Sequence, residues 1–283
     1  MRLLLISIGC LLLALFILLT ARMWGQSQSY PEYVHPFFQK TPLIVLQVNT
    51  LSEIKSIISE HPQTVFQLPV RMSKDKILFV LDSITEKKLI LNLQNQQKLH
   101  PEKSILKSQK LYDYSWIDIN KHLNDMSINV EILTDFYKQF PQQKFILDVI
   151  DNTYEIDLEI VRQLETYNPN ERTLIQSDVG MILSAIKMLK PEWLYGSSKA
   201  DLVRLKTMES MWILPAVQFK GDVLIAPIKL QNRDLMSEEI ISELRRRHKK
   251  IIIGPIQTKE DYLKIKQYQP DAYLFLDARL ISQ

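Results

Sequence analysis

Cysteine is almost absent: the single thiol, Cys10, lies inside an uncharged stretch near the N-terminus, so no disulfide framework holds the remainder together. Cysteine usage therefore does not assign a redox compartment. Glycine is scarce as well. After residue 25 only Gly180, Gly196, Gly221 and Gly254 occur, which leaves no glycine-rich loop to cradle a phosphate and counts against nucleotide binding. Neither sign of charge dominates: 35 basic residues face 32 acidic ones, and the net charge of +3 is too small to argue for a nucleic-acid partner. No internal repeat or low-complexity tract is evident. Of the five histidines, His35, His61 and His100 each precede a proline, which holds them in extended or turn backbone. His248 ends a helical pattern, where a cation suits the helix dipole, and neither it nor His122 sits in a catalytic pattern.

What the chain does have is one long apolar run. Leu3 to Ala21 carries no charge for 19 positions, enough to cross a hydrocarbon core about 30 Å thick, and Arg2 and Arg22 bracket it. A cleaved signal peptide is the competing reading, but Thr20-Ala21-Arg22 interrupts a small-x-small cleavage pattern. Cys10 follows Ser7-Ile8-Gly9 as a lipoprotein cysteine would, yet the apolar run continues past it, and a lipid-facing thiol is the simpler reading. The expectation is a retained single-pass anchor over residues 1–25, in contact with the bilayer through residues 3–21. Charges at the amino terminus and Arg2, against Arg22 alone, favour the following domain on the extracytoplasmic side.

Residues 26–40 are polar and contain Pro31 and Pro36, as a tether does. From residue 41 to 283 short apolar runs alternate with helical patterns. The expected strands are Leu43–Val48, Thr64–Val70, Phe145–Val149, Thr173–Ser177, Trp193–Tyr195, Val223–Ala226, Lys250–Ile253 and Ala272–Leu276, with Ile77–Leu81 a hairpin extension of the second. Thr50-Leu51-Ser52-Glu53 and Thr258 to Asp261 are capping-box signatures. Met181, Ile182, Ala185, Met188 and Leu189 form one expected helix face behind a capping Asp178; Met236, Ile240, Ile241 and Leu244 form another. Residues at about 83–130 lack clear periodicity and read as an insertion. Eight strands alternating with helices over about 240 residues predict an α/β fold, a (β/α)8 TIM-type barrel preceded by one N-terminal transmembrane helix. A doubly wound sheet is the other architecture this order permits.

Local motifs narrow the reading. Phe66-Gln67-Leu68-Pro69-Val70-Arg71-Met72-Ser73-Lys74-Asp75-Lys76-Ile77-Leu78-Phe79-Val80-Leu81-Asp82 follows the framework of I-E-x-D-V-x-x-T-K-D-G-x-x-V-V-x-H-D. Asn49-Thr50-Leu51 matches the start of an E-N-T-L helix, Thr173-Leu174-Ile175-Gln176-Ser177 a V-x-I-x-S-F strand, and Pro270-Asp271-Ala272-Tyr273-Leu274 a closing V-D-G-I-I run. In these motifs the chain resembles the glycerophosphodiester phosphodiesterases of the phospholipase C-like barrel superfamily. The resemblance spans nearly the whole domain, through degenerate motifs.

What the resemblance implies chemically is a divalent cation on three carboxylates, with two histidines as general acid and base at one barrel end. Carried over position by position, the first His-Arg-Gly falls near Gln47, and the Glu and Asp of the second strand fall on Gln67 and Pro69. The later His-Asp falls at Asp82 and its neighbour, and the third ligand on Asp148. Both histidines and most metal ligands are therefore missing. The expectation is a catalytically degenerate, membrane-anchored barrel with a binding or scaffolding role, no cofactor, and a protein or phosphodiester partner that the sequence does not name. The alternative is an active phosphoric diester hydrolase with a rebuilt site on Asp82, Asp148 and Gln67, Mg²⁺ or Ca²⁺ on Asp148 and Asp82, and Arg71 as phosphate partner.

Two other constellations carry simpler readings. Asp148 and Asp151 flank a strand end as a glycosidase pair would, but nothing else supports that chemistry. Arg245-Arg246-Arg247-His248-Lys249-Lys250 reads as a solvated helix C-terminus at the barrel bottom, with lipid headgroup contact the other possibility.

Overall fold

A computed structural model describes residues 2–32, 34–99 and 110–281. Residues 100–109 of the expected insertion, with His100, lie outside the described residues. In chain order the elements are α1 (Arg2–Ser27), β1 (Leu43–Gln47), α2 (Leu51–Glu60), β2 (Val65–Met72), β3 (Leu78–Val80), α3 (Ser83–Leu99), α4 (Trp116–Asp125), α5 (Leu133–Gln139) and β4 (Phe145–Val149). They continue with α6 (Ile156–Leu164), β5 (Thr173–Gln176), α7 (Gly180–Leu189), β6 (Leu194–Tyr195), α8 (Lys199–Ser210), β7 (Val223–Ala226), the short β8 (Lys229–Leu230) and β9 (Arg233–Asp234), α9 (Glu238–Arg246), β10 (Lys250–Ile256), α10 (Lys259–Lys266) and β11 (Ala272–Phe275).

Eight strands run parallel in the order β6-β5-β4-β2-β1-β11-β10-β7, and β3 folds back antiparallel on β2. β6 and β7, the ends of that path, meet through irregular bonding. The Asp222 N–H donates to the Tyr195 carbonyl at 2.8 Å, and the Tyr195 N–H donates to the Asp222 carboxylate at 3.1 Å. Further up, the buried Ser197 hydroxyl accepts from the Ile225 N–H at 3.2 Å and donates to the Ile225 carbonyl at 3.3 Å. One serine thus supplies what a longer β6 would. Ser197→Ala is expected to cost about 2 kcal/mol, the penalty for a buried backbone donor left without an acceptor, read as a lower urea midpoint of the chain in detergent micelles.

Alternation along the strands divides two cores. Val45, Val65, Ile146, Leu174, Leu194, Val223 and Ile252 point into the barrel and fill it. A 3₁₀ turn over Pro36–Phe38 closes the bottom with Phe37 and Phe38, held by Lys144, whose ammonium donates to the Pro36 and Phe37 carbonyls at 2.9 and 2.7 Å. Outward residues such as Leu46, Leu68, Leu147, Ile175 and Ile253 pack under the helices.

Both predicted capping signatures form caps. Thr50 and Thr258 accept from the third backbone N–H of α2 and α10, and the α10 box is reciprocal through Asp261. The face predicted for α9 is buried throughout. The face predicted for α7 is corrected: Ile182, Leu183 and Ile186 are buried, whereas Met181 and Met188 stand exposed, and Val179 rather than Asp178 occupies the cap position. Seven of the ten α7 residues are apolar, so several stripes satisfy the periodicity and only packing selects one. Between β3 and β4, α3 and α4 enclose a satellite core of Phe79, Leu81, Leu89, Leu111, Tyr114, Ile119 and Leu123.

Candidate functional site at the barrel mouth

In a parallel barrel the side chains that alternate inward at the C-terminal strand ends share one opening. On β1, β2, β4 and β5 those positions hold Gln47, Gln67, Asp148 and Gln176, with Pro69 among them, whereas β7 and β11 present the apolar Ile225 and Leu274. β1 pairs Gln47 with Gln67 of β2; β2 pairs Pro69 with Asp148 of β4; β4 pairs Asp148 with Gln176 of β5. Gln47, Gln67, Pro69 and Asp148, far apart in sequence, are thereby brought to one end, and Gln176 joins them. Pro69 is tolerated inside β2 because it sits where that strand leaves β1 and takes up β3, so its missing N–H breaks little of the ladder.

The Gln67 amide donates to Asp148 at 3.4 Å, and the Gln176 amide donates to the Ser197 carbonyl at 2.8 Å. The other amide oxygen of each glutamine is buried and accepts no hydrogen bond from the described chain. Gly196 leaves room for the Gln176 amide, since a Cβ there would displace the amide oxygen. Asp148 keeps an accessible edge, yet its carboxyl is pushed up to about 7, first by burial and then by the Asp178 charge, against the opposing pull of Arg71. The carboxyl of the layer is thus held far above the ordinary aspartate range.

Asp82 does not join it. Its carboxylate caps α3, accepting from the Ile84 and Thr85 N–H groups at 2.8 and 2.9 Å and from the Thr85 hydroxyl at 2.7 Å. Burial would raise its pKa, but these bonds win and hold it below the ordinary value. Arg71 is 2% exposed and fully engaged. It pairs with Glu86 at 2.6 Å and Asp151 at 2.9 Å and donates to the Leu81 carbonyl and the Ser83 hydroxyl. Asp151, the other half of the conceivable glycosidase pair, spends its second oxygen on the Met72 N–H at 3.0 Å. Among the described residues, no three His, Cys, Asp or Glu side chains are placed to share a cation. The four described histidines stand at element ends: His35 and His61 cap, His122 lies in the last turn of α4, and His248 follows α9.

No profile of a known protein family matches the sequence, and no curated protein matches it. Solved structures do. The glycerophosphoryl diester phosphodiesterase domain of a Mycobacterium tuberculosis protein superposes with a TM-score of 0.61 at 13% identity, over 86% of this chain and 98% of that one. A glycerophosphodiester phosphodiesterase from Agrobacterium tumefaciens gives 0.58 at 12% identity over 85% and 98%, and one from Parabacteroides distasonis gives 0.56 at 10% over 83% and 93%. The chain has the glycerophosphodiester phosphodiesterase fold. On that fold the β2–β3 hairpin and all eight barrel strands stand where the pattern of apolar runs predicts them, to within a few residues at their ends. Gln176 is the mouth residue that sequence reasoning missed; its signal was the position one strand over from Asp148, visible once the register is known. A cavity of about 1020 Å³ opens at the opposite end, lined by Lys144, Asn170, Arg172 and Trp193 among others, and shares no residue with the polar layer.

Proposed function

We propose that this chain is a membrane-anchored barrel of glycerophosphodiester phosphodiesterase descent that no longer hydrolyses phosphodiesters and serves a binding or scaffolding role, its domain on the extracytoplasmic side. The observation that carries this reading is the composition of the mouth layer: one carboxyl of raised pKa among neutral amides. Mg²⁺ and Ca²⁺ accept neutral amide oxygens as ligands but are usually held by more than one carboxylate, and among the described residues no three His, Cys, Asp or Glu side chains stand ready to share a cation. The remaining chemistry of the layer is hydrogen bonding, with the free amide oxygens of Gln67 and Gln176 as acceptors for a ligand that donates.

The alternative, a rebuilt hydrolytic site on Asp82, Asp148 and Gln67 with Arg71 as a phosphate partner, has Gln67 beside Asp148, but Asp82 and Arg71 are committed to other partners. α1 supports the anchor: residues Leu4–Ser27 form a helix long and apolar enough to cross a membrane, with mean hydropathy 2.8. The test is hydrolysis of glycerophosphodiesters by the full chain in detergent micelles with Mg²⁺, Ca²⁺ and Mn²⁺ in turn. No turnover above the protein-free rate is expected. Metal-dependent turnover that disappears in Asp148→Asn would overturn the reading.

A further inference from the structure

The basic run after α9 is not the solvated helix end that its sequence suggests. Arg247 is buried: it donates to Glu243 and to the Val217 and Pro215 carbonyls, and its guanidinium lies 4.9 Å from the rings of both Tyr30 and Phe219. Arg246, paired with the same Glu243, reaches across to the end of α1. It donates to the Gly25 carbonyl at 3.1 Å and the Gln28 carbonyl at 2.9 Å, bonds that a helix C-terminus otherwise leaves to water. Tyr30 then folds back over both guanidinium groups.

Close packing completes the joint. Gly25 is buried against the 3₁₀ turn Leu214–Ala216, and a Cβ there would overlap the Pro215 carbonyl. One turn earlier the Arg22 guanidinium donates to the Trp212 carbonyl at 2.9 Å. These contacts lie in the last two turns of α1, while residues 4–17 are exposed. The barrel segments involved, between α8 and β7 and between α9 and β10, belong to the N-terminal ends of the strands. The mouth is at the other end.

Trp212 adds an independent observation. It ends α8 in a Schellman arrangement, with the Ile213 N–H donating to the Met208 carbonyl, at the position where the backbone turns left-handed and glycine is favoured. Its φ is 63°, and the side chain is 77% exposed beside Met211 at 47%. A large aromatic is thus held at a backbone position that favours glycine and is turned largely to solvent. It stands level with Arg22, the charged residue that closes the apolar run, with Trp24 exposed nearby. Tryptophan at that level is the residue of the membrane–water interface.

Resting on the anchored reading above, we propose that the barrel is bolted base-down on the bilayer, the Met211–Trp212 loop seated among the lipid headgroups and the Gln67–Asp148–Gln176 mouth facing the aqueous phase. A ligand of the mouth then arrives from solution rather than from the membrane the chain is anchored in.

The test uses the full chain in vesicles of phosphatidylcholine and phosphatidylglycerol, in a Cys10→Ser background, with an environment-sensitive fluorophore on Met211→Cys or on Tyr154→Cys, which is exposed on the mouth side after β4. The probe at 211 should lose most of its emission to shallow spin-labelled lipids, and the probe at 154 only to aqueous iodide. Arg246→Met should return the 211 probe to water while the chain stays with the vesicles in alkaline carbonate. Trp212→Gly guards against misfolding: it should raise the thermal midpoint, because glycine suits the left-handed backbone, and still draw the 211 probe out of lipid. An iodide-accessible 211 probe on a carbonate-resistant chain would overturn base-down docking alone. Release of the chain by carbonate would sink the anchor and the docking together.

Discussion

Replacing Arg71 by methionine is expected to destabilise the chain by about 3–5 kcal/mol at pH 8, the range for removing one partner of a buried ion cluster. Glu86 and Asp151 are 19% and 9% exposed and flank Arg71 from α3 and from the segment after β4. Without the guanidinium, two desolvated carboxylates face each other with no cation between them. Burial already raises the pKa of both against the opposing pull of Arg71, so without the guanidinium protonation can relieve the strain in the variant. The loss should therefore shrink toward pH 5, and urea midpoints at the two pH values check it. An equal loss at both would mean that Arg71 acts through packing rather than charge. The same result bears on the proposed function, because the ion cluster would then account for Arg71 through Glu86 and Asp151.

The parts of the fold legible in the sequence are those encoded by local chemistry. Each apolar strand run is bounded by polar or proline-bearing segments, and Thr50 and Thr258 announce their helices three residues ahead. The Asp82 cap is legible on the same terms, since Asp82 and Thr85 are spaced as a helix start, although the resemblance implies a ligand at that position. Other features depend on residues distant in the chain. Arg246 finds carbonyl partners more than 200 positions away at the end of α1, and nothing in a run of six basic residues distinguishes a clamp from a solvated end. Gln176 gains its place only from the register of β4 with β5. The mouth layer was legible position by position through the motifs, whereas its electrostatics were not, because burial sets the pKa of Asp148.

That burial yields the second large effect. Between pH 4 and pH 8 the wild-type chain should lose roughly 2–3 kcal/mol of stability that Asp148→Asn does not lose. The sign follows from proton counting. An unfolded Asp148 releases its proton near the ordinary value of 3.8, the folded one near 7, so between these values the folded state binds more protons and stability falls as pH rises. The full shift corresponds to about 4 kcal/mol, and the accessible edge of the carboxyl lowers the expectation by screening. Asp151, Glu86 and Glu131 are also raised and tilt the curve the same way, so the measurement is the difference between wild type and Asp148→Asn, taken as urea midpoints across the range. Superimposable pH profiles would show that the mouth does not hold Asp148 in a poorly solvated place. Repeating the series in Mg²⁺ connects stability to function. A cation bound at the mouth would stabilise the ionised carboxylate and flatten the wild-type slope, whereas an amide-rich binding layer leaves the slope unchanged.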